Sequence, residues 1–517
     1  MQLLSGNIFK VSLIVLSVGA CFAIDNHEGY YKDLFMDGGV NLTHRTALPS
    51  SDTLELDMEY LATSDSSQQA EIMVISDNDE NGALLYPDGE PRFRVIYTNG
   101  GSATNHGNSL GEIGRERIRT FYANGGSYTG SCAGAFICSI SYLSSGTYTP
   151  YYHIWPGRTQ STGLLDTYTG HFIVEDSPLL DYFDFGGDMY IDHIYHNGGC
   201  YAREELDFPP ETEILLRYDY SSAGMHEKAS CWAYKSIIEE GRIVVIGSHP
   251  ESISSGERLE LMMAILQYAI AGNGVPHVKA VLENDVARVM DKTTADDDPS
   301  YTMIGDKQYH HFRISIPTGA SSLTVALDGD DAFDMNLYLN FGYYAFGSSA
   351  LYWDNSIGAT KTIVVPEPEA GVWYIGVECA TTVVTTLRSW GYEYTGNTAV
   401  LNGVAYSITA GWDTSTVEIA DNLPIENFKL GYNSPNPFNN QTAIDFDIAE
   451  NGNVRIDIFD SRGNLVKTLF DEYKYAGHYE VLWDATDMLD NNVQSGIYFY
   501  SIQSKDFSKV RKAVLLR

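Results

Sequence analysis

Between about Tyr30 and Asn273 short apolar runs alternate with helix-forming stretches, and beyond Val275 the helical pattern stops. This switch constrains the fold more than any other feature, because parallel strands need a crossover between them, usually a helix, whereas antiparallel strands need only a turn. In the first block, strands are expected at Asp33–Met36, Glu71–Ile75, Phe93–Thr98, Tyr190–Tyr195 and Arg242–Gly247. Helices are expected at Asp52–Ala62, Leu110–Asn124, Ala133–Leu143 and Gly256–Ile270. That alternation predicts a three-layer α/β domain over residues 30–273, its sheet largely parallel and covered on both faces, with any ligand at the carboxyl ends of the strands. Residues 275–412 alternate apolar and polar positions between turn residues, as in Ser322-Leu-Thr-Val-Ala-Leu327 and Trp373-Tyr-Ile-Gly-Val377, which predicts an all-β sandwich. Residues 413–428 read as a linker, and residues 429–517 as a second all-β sandwich with strands near Thr442–Ile448, Asn453–Ile458, His478–Trp483, Gly496–Gln503 and Ala513–Leu516.

Charge narrows the partners. With 68 acidic and 32 basic side chains the net charge is −36, so the surface repels nucleic acid and anionic membranes alike. At the start of the chain, Lys10 precedes the apolar run Val11–Ala20 and a stretch of small residues, the pattern of a signal peptide over residues 1–23 cleaved after Ala23. Val18-Gly19-Ala20-Cys21 also loosely fits a lipoprotein box, which would leave Cys21 lipidated. No other run is long and apolar enough to form a transmembrane helix. Export leads to an oxidising compartment, and cleavage leaves Cys132, Cys138, Cys200, Cys231 and Cys379, an odd number that implies at least one free thiol. Cys200 and Cys231 are a candidate pair that sequence alone does not establish. Cys138, on the apolar stretch after Ala135, reads as a core thiol.

Three segments of the first block carry chemistry. Gly130-Ser-Cys132-Ala-Gly134 is the thiol form of a nucleophile elbow: a strand-to-helix turn so tight that small residues flank the nucleophile, with the sulfur facing a helix N-terminus. Far downstream, Arg242-Ile-Val-Val-Ile-Gly-Ser-His249-Pro-Glu251 is a buried strand whose end carries a base, His249, and an acid, Glu251, able to fix the imidazole tautomer. Upstream, Val95-Ile-Tyr-Thr-Asn-Gly100-Gly101 runs into a diglycine turn with unobstructed N–H groups. The N–H of Gly100 or Gly101, together with that of Ala133, is assigned to an oxyanion hole. In Asp192-His193-Ile-Tyr195-His196-Asn197, a strand would put His193 and His196 on opposite faces, against a shared metal. Tyr195 and Asn197 are candidate substrate contacts.

These three segments, in this order, resemble the class I glutamine amidotransferase-like superfamily. Asn124–Ala135, Tyr195–Tyr201 and Gly241–Glu251 carry a closer likeness to the N-terminal domain of fungal biotin–protein ligases and their bacterial relatives. The resemblance implies a flavodoxin-like fold and a Cys132/His249/Glu251 triad. No ligase catalytic domain accompanies it, and Asn99 stands where the family usually has proline. In the second block, Phe333-Asp-Met-Asn-Leu-Tyr-Leu339, Gly371–Val377 and Val404–Ala410 resemble the bacterial pre-peptidase C-terminal domain. There Asp328, Asp330, Asp331 and Asp334 form a candidate structural Ca2+ site. In the third, Tyr432-Asn-Ser-Pro-Asn-Pro-Phe438, Val454–Gly463, Gly477–Asp484 and the basic end Lys509–Lys512 are similar to a type IX secretion sorting domain. That likeness implies the type IX secretion machinery as partner, and release or surface attachment as destination.

The expectation is a secreted cysteine hydrolase acting on amide bonds, with peptides favoured, through an acyl-enzyme and without a redox or nucleotide cofactor. Its rivals are a non-catalytic surface protein binding a ligand in the same pocket, and a small-molecule amidase.

Overall fold

A computed structural model describes residues 28–37, 48–60, 84–251, 255–293, 298–388, 391–414, 428–474, 477–489, 491–505 and 507–516. The expected leader, the expected strand at Glu71–Ile75 and most of the expected linker lie outside the described residues. The chain forms two compact units. The first runs to Pro276 and takes in Val383–Thr398; the second holds His277–Thr382 and Ala399–Arg517.

The first unit is built on one mixed sheet. Strands β1 (Lys32–Asp37), β2 (Met58–Tyr60), β3 (Phe93–Thr98), β4 (Ser127–Ser131), β7 (Thr167–Ile173), β8 (Tyr190–His196), β10 (Thr212–Asp219), β11 (Ala229–Tyr234) and β12 (Ile243–Ile246) lie in the order β2-β1-β3-β4-β12-β11-β10-β7-β8. Strands β5 (Ser139–Ser141), β6 (Trp155–Ser161) and β9 (Cys200–Ala202) attach beside this path. From β2 to β12 the pairs are parallel. From β12 to β8 they are antiparallel. This corrects the largely parallel expectation. The chain between β5 and β12 has no α-helix, only two short 3₁₀ turns, so it can return only through hairpins.

Among the described residues the α-helices are α1 (Ser51–Leu54), α2 (Ala103–Ala123), α3 (Ala133–Ile137) and α4 (Glu257–Ile270). Helix α2 starts earlier than expected. Ser102 caps it, accepting from the Asn105 N–H at 3.3 Å, and the polar first turns end in a kink at Gly111, where φ is 66°. Helix α3 is shorter than expected. The Ser139 hydroxyl donates to the Phe136 carbonyl at 2.7 Å, and the chain leaves as strand β5. Helix α1 ends early at Glu55, in the left-handed region at φ 56°.

Strand β12 reads Ile-Val-Val-Ile because both its faces are covered. Val244 and Ile246 pack with Leu261, Met262 and Ile265 of α4 and with Val95 and Tyr97 of β3. Ile243 and Val245, pointing the other way, are also fully buried. Each such side chain contributes about 1.5–3 kcal/mol of burial, so the centre of the sheet is the rigid part from which the site projects.

In the second unit, Val278–Val281, Tyr309–Ile316, Gly371–Cys379, Met335–Phe341 and Tyr352–Asp354 form one sheet; Arg288–Met290, Tyr406–Thr414, Ala320–Gly329 and Lys361–Pro366 form another. Alternation in Lys361–Pro366 is strict, with every second side chain buried. Residues 428–516 add sheets of three and four strands around Ile444, Phe446, Ile456, Trp483 and Tyr500. The hairpin Val384–Arg388/Gly391–Thr395, although embedded in the segment expected to be the first sandwich, belongs with the first unit. The Tyr394 ring lies 6.1 Å from that of Tyr31 and under the Arg92 guanidinium at 5.6 Å.

Candidate active site

Register brings the distant segments together. In the parallel pair β4–β12, Gly130 lies opposite Val245 and Ser131 opposite Ile246. Whatever follows each strand must therefore emerge at the same carboxyl edge. Cys132 follows β4 and His249 follows β12; the Cys132 N–H donates to the Ile246 carbonyl at 2.9 Å. Cys132 sits at φ 49°, ψ −101°, a strained conformation for a residue with a side chain, costing on the order of 1–3 kcal/mol. Its flanking glycines are required by contact: a Cβ on Gly134 would stand 2.1 Å from the Thr98 carbonyl oxygen, and one on Gly130 2.8 Å from the Gly134 Cα.

His249 is buried, and its Nδ1 lies 2.7 Å from Oε1 of Glu251, itself 1% exposed. That leaves Nε2 for the sulfur, and the ring hydrogen-bonds Cys132. Burial alone would lower the imidazole pKa. The hydrogen bonds to Cys132 and Glu251 and the charges of both outweigh it, and push the pKa up to about 10. The same Glu251 oxygen accepts from the Ser131 hydroxyl at 3.0 Å; Ser131 in turn accepts from the Tyr97 hydroxyl at 2.8 Å. Burial first, then the Glu251 charge, holds Tyr97 protonated. A hydrogen-bonded line thus runs from Tyr97 through Ser131 and Glu251 to His249 and the sulfur.

The diglycine turn lies against the imidazole: a Cβ on Gly100 would stand 2.2 Å from Cε1 of His249. Gly101 has φ 143°, open only to glycine. Ala133 begins α3, where an N–H has no partner within the helix. Both expected substrate contacts border the site. The Tyr195 carbonyl accepts from the His249 N–H at 2.8 Å, and its ring lies 5.8 Å from the imidazole. The Asn197 carbonyl lies 3.9 Å from the Cys132 sulfur, and the Asn197 side chain accepts from the Asp166 N–H at 3.2 Å.

Sequence reasoning missed the buried residues behind these groups. His196 Nε2 lies 2.7 Å from Thr162 Oγ1, which donates to the Gly199 carbonyl at 2.8 Å, and Nδ1 lies 2.8 Å from Ser248 Oγ, so one ring joins Thr162 to the residue before His249. Burial, and secondarily the His249 charge, lowers its pKa to about 4 and keeps it neutral. His193 is exposed while His196 is buried, as expected, but the strand is irregular between Ile191 and Ile194, with His193 at φ 57° and a register shift. Such residues leave no trace in spacing; only their polar identity within a buried strand hinted at a role.

All five described cysteines are unpaired thiols, so the candidate pair Cys200 and Cys231 forms no disulfide. Among the described residues no three His, Cys, Asp or Glu side chains converge as a metal set. Asp330, Asp331 and Asp334 accept from the N–H groups of Ala332, Gly358 and Ala359, Asp331 from Ala359 at 3.0 Å and Asp334 from Gly358 at 2.8 Å. Asp328 faces the Thr360 hydroxyl at 3.5 Å. No helix among the described residues is long and apolar enough to cross a membrane.

Residues 308–378 match the bacterial pre-peptidase C-terminal domain and residues 434–516 the secretion system C-terminal sorting domain. No curated protein matches the chain. Among solved structures, a glutamine amidotransferase is similar at 12% identity and a TM-score of 0.30, over 46% of this chain and 98% of that one. The pre-peptidase C-terminal domain of a Bacillus anthracis collagenase is similar at 10% identity and a TM-score of 0.16, over 26% and 99%. PorZ, a surface component of the type IX secretion system of Porphyromonas gingivalis, is similar at 16% identity and a TM-score of 0.14, over 31% and 21%. The chain thus carries a bacterial pre-peptidase C-terminal domain followed by a type IX secretion sorting domain, and it is an exported protein, secreted or held at the cell surface.

Proposed function

We propose that the first unit is a cysteine-dependent hydrolase of the glutamine amidotransferase-like class, with a flavodoxin-like three-layer α/β fold. It attacks amide bonds, peptides first among them. Cys132 is the nucleophile, His249 the proton carrier and Glu251 the residue that fixes the imidazole tautomer. The sulfur adds to the substrate carbonyl carbon, and the N–H groups of Ala133 and of Gly100 or Gly101 receive the oxyanion. His249 then gives its proton to the leaving amine, which departs with the electrons of the broken C–N bond. Water, deprotonated by the same imidazole, releases the acid from the acyl-enzyme and restores the thiol.

The observation that carries this reading is the line sulfur–imidazole–carboxylate, with 2.7 Å between His249 Nδ1 and Glu251 Oε1 and an imidazole held charged to about pH 10. An imidazolium beside a sulfur favours the thiolate. The strained backbone of Cys132 supports it too, since strain of that kind gathers where function holds a side chain in place. Digestion of a peptide library by the native protein and by Cys132→Ala tests it, with intact-mass detection of an acyl adduct. Cleavage and an adduct in the native protein alone are expected. No cleavage of any peptide or simple ester by the native protein would overturn the reading.

A further inference from the structure

We propose that the outer face of the β7–β8 ribbon is a substrate-docking ridge for extended polypeptide carrying arginine or lysine side chains, leading into the Cys132–His249 site. This inference rests on the hydrolase reading for its catalytic consequence; the binding itself does not.

Strand β7 reads Thr167-Tyr168-Thr169-Gly170-His171-Phe172-Ile173, and its side chains fall alternately on two faces. Thr169 and His171 point inward and are buried. There His171 meets Thr169 Oγ1 at 3.0 Å and Ser230 Oγ at 2.8 Å. Tyr168 and Phe172 point outward and are 57% and 41% exposed. Four residues apart on a strand, they are about 13 Å from each other. On β8, opposite them in register, stand Tyr195 and Tyr190, with ring centroids 5.7 Å from Tyr168 and 5.4 Å from Phe172. Gly170 separates the two pairs, and the Tyr190 hydroxyl fills the place its side chain would take. One end of the row touches the site, because the Tyr195 ring lies 5.8 Å from that of His249.

Charge settles the occupant. The Tyr195 hydroxyl donates to Asp166 at 2.9 Å and the Tyr190 hydroxyl to Asp219 at 3.1 Å. Each bond fixes a ring and enriches its π face in electrons. Asp192, 58% exposed, stands on the same ribbon, where it holds His193 Nδ1 at 2.6 Å, and Asp219 also faces His226 Nδ1 at 3.4 Å; both histidines are exposed and without charge when unprotonated, so the carboxylates keep the ridge acidic at neutral pH. The neighbouring Arg258 is engaged by the His193 carbonyl at 2.9 Å. Exposed aromatic faces with carboxylates at both ends suit guanidinium and ammonium groups spaced along an extended chain. A neutral polymer would use the rings and hydrogen-bond the carboxylates but leave their charge uncompensated, and an anionic one is repelled.

The test uses the full chain with Cys132→Ala, so that nothing turns over, and fluorescein-labelled acetyl-Ala-Arg-Ala-Arg-Ala-amide. The control peptide replaces both arginines with citrulline, which keeps shape and removes charge. Anisotropy is expected to show at least tenfold tighter binding of the arginine peptide. Adding Tyr168→Ala and Phe172→Ala is expected to abolish that preference, while in the chain that keeps Cys132 the same pair leaves the rate of Cys132 alkylation unchanged. Equal binding of the two peptides overturns the proposal, as does a preference that survives loss of both rings. Preference for arginine without hydrolysis by the native chain upholds the ridge and removes the hydrolase reading, so the two fail separately.

Discussion

The imidazole of His249 occupies the space that a side chain on Gly100 would need, with Cε1 only 2.2 Å from where a Cβ would stand. The diglycine turn therefore does more than offer N–H groups: it is the floor on which the base rests. Gly100→Ala should displace the ring without disturbing the backbone, since the ring is the movable end of a side chain. A displacement near 1 Å costs on the order of 100-fold in kcat/KM, while the melting temperature should move by no more than about 2 °C. Gly134→Ala should do the opposite, because its Cβ would meet the Thr98 carbonyl at 2.1 Å and a backbone cannot swing away. A loss of roughly 1–3 kcal/mol of stability is expected. Thermal melts and steady-state kinetics on both variants check the contrast.

The five described thiols should separate cleanly towards iodoacetamide. Cys138, Cys200, Cys231 and Cys379 are 0% exposed, and burial raises the pKa of each. Cys132 retains 4% exposure and an imidazolium neighbour. Peptide mapping of the native protein should find the label on Cys132 alone, and labelling in denaturant should find all of them.

Ser131 donates to Glu251 and touches no substrate position, so it is a positioning residue. Ser131→Ala should lower kcat roughly tenfold, about 1.4 kcal/mol, with KM unchanged, and Ser131→Thr should restore most of it. Equal losses in kcat and stability would mean a merely structural hydroxyl.

His311 of the second unit is buried among Tyr309, Tyr344 and Phe346, and neither ring nitrogen has a hydrogen-bond partner among the described residues. Burial, with a smaller contribution from His310, lowers its pKa to about 3. Between that value and the unfolded value near 6.5 the unfolded chain binds the extra proton. Stability from this group is thus present above pH 6.5 and declines as pH falls towards 3, by at most about 1.4 kcal/mol per unit. Urea midpoints of the second unit should fall with acidification, and His311→Phe should flatten the fall.

How far the residues announced this arrangement depends on which force fixed them. The elbow and His249-Pro-Glu251 were legible because steric demand and buried strands leave local signatures: glycines on both sides of Cys132, and Ile-Val-Val-Ile before His249. The strand Thr442–Ile448 was legible for the same reason, by alternation alone. The antiparallel half of the first sheet was not, because pairing partners such as Tyr168 and Tyr195 meet through long-range register. Tyr97 and Ser131 went unseen, and His196 was weighed only as a metal ligand, because a buried hydroxyl or ring looks the same in sequence whatever partner waits opposite. The placement of Val383–Thr398 rests on contacts such as Tyr31 with Tyr394, which no local pattern encodes.

In the proposed mechanism His249 is charged at rest and serves Cys132. The most direct measurement is the rate of Cys132 alkylation from pH 6 to pH 11 in the native chain and in His249→Ala. With the imidazole protonated up to about pH 10, the native sulfur should react on the order of 100-fold faster than the variant at pH 6. The two rates should converge above pH 10, as the native imidazole loses its proton. Superimposable profiles across the whole range would contradict the account.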